Sequence, residues 1–306
     1  MPGPLIECVP NFSEGRSEAV VRALEETVRA VPGVALLDRT MDPDHHRAVL
    51  TFAGAPEAVA EAAFQATKVA AARIDLRSHQ GAHPRVGATD VIPFVPLRGV
   101  AMSDCAELAK RVGRRIGEEL AIPVFLYEQA ATRPDRARLE TIRLGGLAGL
   151  AHRLKTDHGW APDFGPPRLH PTAGAVVVGA RRILVAFNVN LDTNELRVAN
   201  DIAKAVRQSG GGLAHVKAIG VPLAGRNHVQ VAMNLVHIDE TPVHIAFEAV
   251  RREAERRGVR VTGTELIGLV PRKAVEQADA AGVRIDALQP SRILETRLAE
   301  AGLGDL

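Results

Sequence analysis

I-L-V-A-F-N-V-N, residues 183–190, is an apolar run of strand length flanked by polar segments, too short for a buried helix. Downstream, Thr193 to Gln208 carries helical spacing. Val216 to Val221 and Val229 to Val236 read as two more strands, Pro242 to Arg257 as a second helix and Val259 to Thr262 as a fourth strand. The order β-α-β-β-α-β predicts a ferredoxin-like unit, four antiparallel strands with two helices on one face. A last helix near Ser291 to Ala301 is expected to pack back on the body, and Gly210 to Gly212 is too short a glycine run to argue a phosphate loop.

Upstream the rhythm differs. Leu5 to Val9 reads as a short strand stopped by Pro10, and a helix starts at Ser17 with Val20, Val21, Leu24, Val28 and Val31 on one face. Val34 to Leu37 and Val49 to Phe52 read as strands joined by a polar loop, D-R-T-M-D-P-D-H-H-R at 38–47. Pro56 opens an alanine-rich helix to about Ala72, Asp90 to Val95 is a strand, Ser103 is expected to cap a helix through Leu120, and Pro123 to Tyr127 is another strand. The fold class is α+β: two α/β subdomains with mixed or antiparallel sheets covered by helices, residues 1–178 and 179–306.

A chain of 306 residues with 46% hydrophobic and 24% charged residues describes a globular protein able to fill two cores. With 38 basic against 36 acidic residues, a net charge of +2 gives no electrostatic case for nucleic acid or an anionic membrane, and 3% aromatics disfavour base stacking. The start M-P-G-P-L-I-E lacks the pattern of a secretory leader and no long apolar span occurs, so a cytoplasmic location without membrane association is expected. Cys8 and Cys105 are too few for a disulfide framework and too far apart for a zinc motif, and are expected as small buried hydrophobes. Neither a Gly-x-Gly-x-x-Gly nor a Walker pattern is present.

Chemistry concentrates in R-S-H-Q-G-A-H-P-R-V-G-A-T, residues 77–89, just before a strand. His79 and His83 can exchange protons near neutrality, and Arg77 and Arg85 can hold carboxylates through paired hydrogen bonds. Gly81 and Gly87 allow backbone angles closed to other residues, while Pro84 pushes His83 toward extended geometry and so pins it more than His79. Gly81 and Pro84 break any helix that would turn the His-x-x-x-His spacing into a metal site, and no metal is expected. A histidine that merely bonds the backbone is the competing reading.

Three further segments qualify. N-F-S-E-G at 11–15 ends a strand and offers Asn11, Ser13 and Glu14, all ordinary turn residues as well. The 38–47 loop holds Asp38, Asp42, Asp44, His45, His46 and Arg47, and is either a binding loop for a metal or polar substrate or a solvated connection. W-A-P-D-F-G-P-P-R-L-H-P-T-A-G-A at 160–175 contains four prolines, and is either a stiff linker or a preformed wall for a flat anionic ligand.

Four separated blocks give the chain a resemblance to the glutamate formimidoyltransferase family over nearly its whole length: E-C-V-P-N-F-S-E-G at 7–15, H-Q-G-A-H-P-R-V-G-A at 79–88, W-A-P-D-F-G-P at 160–166 and A-F-N-V-N-L at 186–191. The resemblance implies transfer of a formimino group from N-formimino-L-glutamate to N5 of tetrahydrofolate in histidine degradation, releasing L-glutamate. It places the catalytic acid and base on His83. It assigns folate contact to Gly165, Pro166, Pro167, Arg168, Leu169, His170, Pro171, Thr172, Ala173 and Gly174, and a ligand tunnel between sheets in a homodimer. Asn11, Asp38, Arg47, His79, Arg85 and Asn188 are the candidate substrate contacts, with Arg47, Arg85 and Arg168 as the cations for carboxylates.

This chain departs from the family pattern where an asparagine commonly precedes the arginine, here His46, and where Gly-Glu commonly follows the tyrosine, here Glu128-Gln129. It ends where a fused cyclodeaminase would begin. Action on 5-formyltetrahydrofolate, by formyl transfer to glutamate or by ring closure, and noncatalytic folate binding are the alternatives.

Overall fold

Pro10 has no N–H to donate, and the first strand breaks there. β1 (Leu5–Cys8) and β2 (Asn11–Phe12) are two pieces of one interrupted strand in a computed structural model that describes residues 3–81, 84–223, 228–286 and 288–306. Both pieces run antiparallel to β4 (Arg47–Gly54) on one side and to β5 (Thr89–Arg98) on the other. β3 (Val34–Asp42) pairs with β4, and beyond β5 the sheet turns parallel through β7 (Val176–Ala180) to β6 (Val124–Glu128). The result is a mixed seven-stranded sheet.

Three helices cover one face: α1 (Glu18–Arg29), α2 (Pro56–Arg73) and α3 (Met102–Glu119). Ser17 caps α1, its Oγ accepting the Val20 N–H at 3.4 Å, and Val21, Leu24 and Val28 form the buried stripe. Against them lie Ile6, Cys8, Leu50, Phe52, Ile92 and Phe94 from the sheet. Each such fully buried side chain is worth about 1.5–3 kcal/mol of transfer free energy.

Strand alternation sends the polar residues to the other face. Register sets Glu7 beside Ala53, Asn11 beside Val49, Asp38 beside Thr51 and Asp42 beside Arg47. At the far end of that face Phe125, Tyr127 and Val177 form a small second core with Ile142 of α4 (Leu139–Arg143) and Leu150 of α5 (Gly146–Thr156).

The chain divides between Arg181 and Arg182 into two compact units. In the second, β8 (Val185–Leu191), α6 (Leu196–Val206), β9 (Val216–Leu223), β10 (His228–Leu235), α7 (Val243–Glu255) and β11 (Val261–Ile267) follow in sequence. The sheet order is β11-β8-β10-β9 with every pairing antiparallel. α6 packs on β9 and β10, and α7 on α6 and β8. α8 (Arg272–Ala280) and α9 (Leu294–Glu300) complete it.

Several expectations need correction. The segment 38–47 is mostly strand, because β3 runs on to Asp42 and β4 begins at Arg47, leaving a turn of only Pro43 to His46. Its Asp and Thr residues alternate on one half-buried face, which reads as loop composition. β7 follows the proline-rich segment directly, and α4 and α5 bury only Ile142 and Leu150, so neither helix shows an apolar stripe in sequence. Ser103 lies inside α3; the cap is Ala101, whose N–H donates to Asp104 at 3.0 Å. Gly81 and Gly87 are not among the glycines with positive φ. They are needed for close approach.

At Gly87 that approach is extreme: a Cβ would stand 1.7 Å from the Ala175 carbonyl oxygen and 2.6 Å from that of Thr89. Gly87→Ala is expected to cost about 3 kcal/mol, read as a lower urea midpoint with an unchanged m-value.

Candidate active site

Three separated segments meet beside the central strands β2, β5 and β7 of the first sheet, and main-chain hydrogen bonds hold them. Leu76 N–H donates to the Thr172 carbonyl and Ala88 N–H to that of Ala173, each at 2.9 Å, while Ala175 N–H donates to Val86 at 2.8 Å. The proline-rich loop is therefore stitched to the histidine loop. From the other side Ser13 N–H donates to Ala88 at 2.8 Å and Ser13 Oγ to Gly87 at 2.6 Å.

The turn between β3 and β4 supplies the next contacts. His46, at φ 51°, presents Nδ1 to the Gln80 carbonyl at 2.9 Å and Nε2 to the Glu14 carboxylate at 3.1 Å. Its ring stacks on that of His79, with centroids 3.9 Å apart and planes 13° from parallel. His79 Nε2 donates to the His46 carbonyl at 3.0 Å, and its buried Nδ1 has no hydrogen-bond partner. Burial, joined by the Arg85 and His46 charges, holds the His79 imidazole below its ordinary pKa against that hydrogen bond. Burial also opposes the charge on Glu14, but amide hydrogen bonds from Ser17 and Arg16 and the His46 ring outweigh it and leave the carboxyl below its ordinary value. Gly81 packs so closely on the turn that a Cβ would lie 2.5 Å from the His45 carbonyl oxygen.

On the polar face, Asp90 is buried, accepts the Val86 N–H at 2.6 Å and pairs with Arg143. Half-buried Arg47 feels that pair: burial and the Arg143 charge depress its pKa, against the pull of Asp42 and Asp90. Among the described residues Arg47 forms no ion pair. Asp90 is engaged by Arg143 and Asp42 by His45, which leaves the Arg47 guanidinium as the group suited to an incoming carboxylate.

Placed one by one, the sequence candidates fare differently. Asn11, Asp38 and Arg47 share the polar face, and His79 and Arg85 lie in the loop beside it. Arg85 donates to the His79 and Gly81 carbonyls at 2.8 and 3.1 Å, so part of its fork holds the loop itself. Asn11 donates to the Val9 carbonyl across the strand break at 3.1 Å. His83 lies outside the described residues. In the Gly165–Gly174 stretch Arg168 is exposed, Ala173 is buried, and His170 Nδ1 accepts the Ala173 N–H at 3.0 Å, closing a local turn. Asn188 is buried on β8 of the second unit, 3.4 Å from Glu265. Arg77 is exposed and grips Asp75 within its own turn. Cys8 is buried on the helix-covered side, where burial pushes its thiol well up. Among the described residues no group of three or more His, Cys, Asp or Glu could hold a metal ion, and no helix is long and apolar enough to cross a membrane.

W-A-P-D-F-G-P proves to be largely architectural. Asp163 accepts the Leu126 N–H at 2.9 Å and also takes the Thr132 hydroxyl, and buried Arg136 lies 3.5 Å away with its guanidinium 5.3 Å from the centroids of both Phe125 and Trp160. The residues missed from sequence are Glu7, Glu14 as a partner of His46, and the Asp90–Arg143 pair. Only Glu7 left a signal, one charge inside the apolar run L-I-E-C-V.

Two family models match the chain: the formiminotransferase domain, N-terminal subdomain, over residues 5–181, and the formiminotransferase domain over 186–290. A glutamate formimidoyltransferase of Streptococcus pyogenes is 49% identical, over 89% of this chain and 90% of that one. One from Thermoplasma acidophilum is 43% identical, over 97% and 98%. The formimidoyltransferase-cyclodeaminase of Rattus norvegicus is 44% identical over 90% of this chain and 52% of its own length.

Glu7 gives the polar face a titration of its own. Burial raises its pKa to about 7, only partly offset by the Arg181 charge. A folded pKa above the unfolded value means that the native state keeps a proton the unfolded chain gives up, so stability falls as pH rises from about 4.5 to about 7 and then levels. Glu7→Gln removes that dependence. Urea denaturation across this window should show the variant gaining on the parent by about 3 kcal/mol.

Proposed function

The chain belongs to the formiminotransferase domain family, and we propose on that footing that it is a glutamate formimidoyltransferase. It transfers the formimino group of N-formimino-L-glutamate to N5 of tetrahydrofolate, which is co-substrate. The observation that carries this reading is similarity to glutamate formimidoyltransferases along nearly the full length of both chains. The joined histidine and proline-rich loops support it.

The N5 amine attacks the formimino carbon, a tetrahedral intermediate forms, and the bond to the glutamate nitrogen breaks. One proton leaves N5 and one reaches the departing nitrogen, so a single group that takes the first and gives the second closes the cycle. His83 has that role in our reading. Arg47 holds a carboxylate of formiminoglutamate, with Asn11, Asp38, His79 and Arg85 shaping the same subsite. The Gly165–Gly174 loop contacts the folate, Arg168 at its exposed rim. Residues 1–178 carry the catalytic loop and residues 179–306 the ferredoxin-like subdomain, whose β-α-β-β-α-β order supports the name. A homodimer, a cytoplasmic location and chemistry without a metal complete the proposal.

The test is formation of 5-formiminotetrahydrofolate from the two substrates by the purified chain, with 5-formyltetrahydrofolate and glutamate as the competing pair. His83→Ala should lower kcat by about 10² to 10⁴ with folate binding retained. Arg47→Ala should raise KM for formiminoglutamate by roughly 10- to 100-fold, the worth of a charge-assisted hydrogen bond, and leave folate affinity near that of the parent. Arg168→Ala, being exposed, should weaken folate binding by no more than about 1 kcal/mol.

A further inference from the structure

His46 is placed between two groups that can only accept. Gln80 offers a main-chain carbonyl oxygen at 2.9 Å from Nδ1, and Glu14 a carboxylate oxygen at 3.1 Å from Nε2. A neutral imidazole has one N–H and fills one of these bonds; filling both requires protons on both nitrogens. His79, stacked face to face at 3.9 Å, is in the opposite position. Its Nε2 donates to the His46 carbonyl, and a proton on its buried Nδ1 would meet no acceptor, so it stays neutral. A neutral ring on a charged ring is a favourable stack, whereas two charged rings would repel.

We propose that Glu14 and His46 act as a protonation-dependent clamp that positions the histidine loop for the transfer reaction. The clamp grips the loop at Gln80, at the His79 ring and, through the close Gly81 contact, one residue further, immediately before the segment that carries His83. This rests on the formimino-transfer reading only for its consequence in catalysis; the clamp itself needs no substrate. Neighbouring charges are engaged elsewhere. Asp42 holds His45 Nδ1 at 2.6 Å, Arg16 donates to the Pro43 carbonyl at 3.0 Å, Arg85 donates to loop carbonyls, and Arg47 points along the polar-face side of β4. Glu14 is therefore the only carboxylate hydrogen-bonded to the His46 ring among the described residues. When His46 loses a proton, either Glu14 or Gln80 loses its donor and the loop is held by one contact fewer. Glu14 and His46 are positioning residues.

The variants are Glu14→Gln, which removes the charge that calls for the second proton, and His46→Asn, which tolerates the φ of 51° at this turn but does not titrate. Ring ¹⁵N spectra of the substrate-free parent at pH 6.5 should show His46 protonated on both nitrogens and His79 as the neutral Nε2–H form. In Glu14→Gln, His46 should lose the doubly protonated pattern at that pH. In formimino transfer, His46→Asn should lower kcat about tenfold, with KM for tetrahydrofolate changed less than threefold. A neutral His46 in the parent at pH 6.5 would overturn the proposal, as would an unchanged kcat in both variants with melting temperatures retained. Absence of any transfer by the parent defeats the functional reading alone, since the spectra still decide the clamp.

Discussion

One missing hydrogen-bond donor organises the first unit. At Pro10 the strand between β4 and β5 cannot bond on both sides, so it breaks and restarts at Asn11. The restarted piece is only Asn11 and Phe12, after which the chain leaves the sheet with Ser13 and Glu14 directed at two other segments. Ser13 fixes the histidine loop at Gly87 and Glu14 fixes the hairpin turn at His46. An unbroken strand would have carried both residues past the site as ordinary sheet positions.

The polar face opposite the three helices is electrostatically uneven. Near Arg47 and Arg143 both carboxylates are engaged, Asp90 by Arg143 and Asp42 by His45, while Glu7, toward the other end of β4, retains a proton to near neutrality. A guanidinium without an ion pair among the described residues suits substrates that carry carboxylates. The helix-covered face, with its continuous apolar core, supplies the rigidity on which that unevenness can persist.

How much of this the sequence disclosed depends on range. Local signals were readable: Ser17 ahead of a 3.6-period stripe, Pro56 at a helix start, and the alternation of strands and helices after Ile183. Features that depend on distant pairing were not. β3 looked like a loop because Asp38, Thr40 and Asp42 alternate on a half-buried face and their partners on β4 are not apparent from composition. The contact of Glu14, His46 and His79 is set by a turn and a strand break, and nothing in their spacing announces it. Conversely, the two departures from the family pattern fall at positive φ, His46 at 51° and Glu128 at 50°, positions where asparagine and glycine sit with least strain.

The parallel half of the first sheet has a consequence for how the chain is made. β7 lies between β5 and β6 but is synthesised after both, some eighty residues beyond β5 in the chain. Until Val176 to Ala180 emerges, the inner edges of β5 and β6 have no partner in this sheet, and they are open to pairing with other chains. Closure is therefore a late, long-range event, slow by comparison with the β3–β4 hairpin. Since the residues just ahead of β7 are those stitched to the histidine loop, the same step that seals the sheet assembles the candidate active site. Nascent or truncated chains that stop short of it would be both inactive and adhesive.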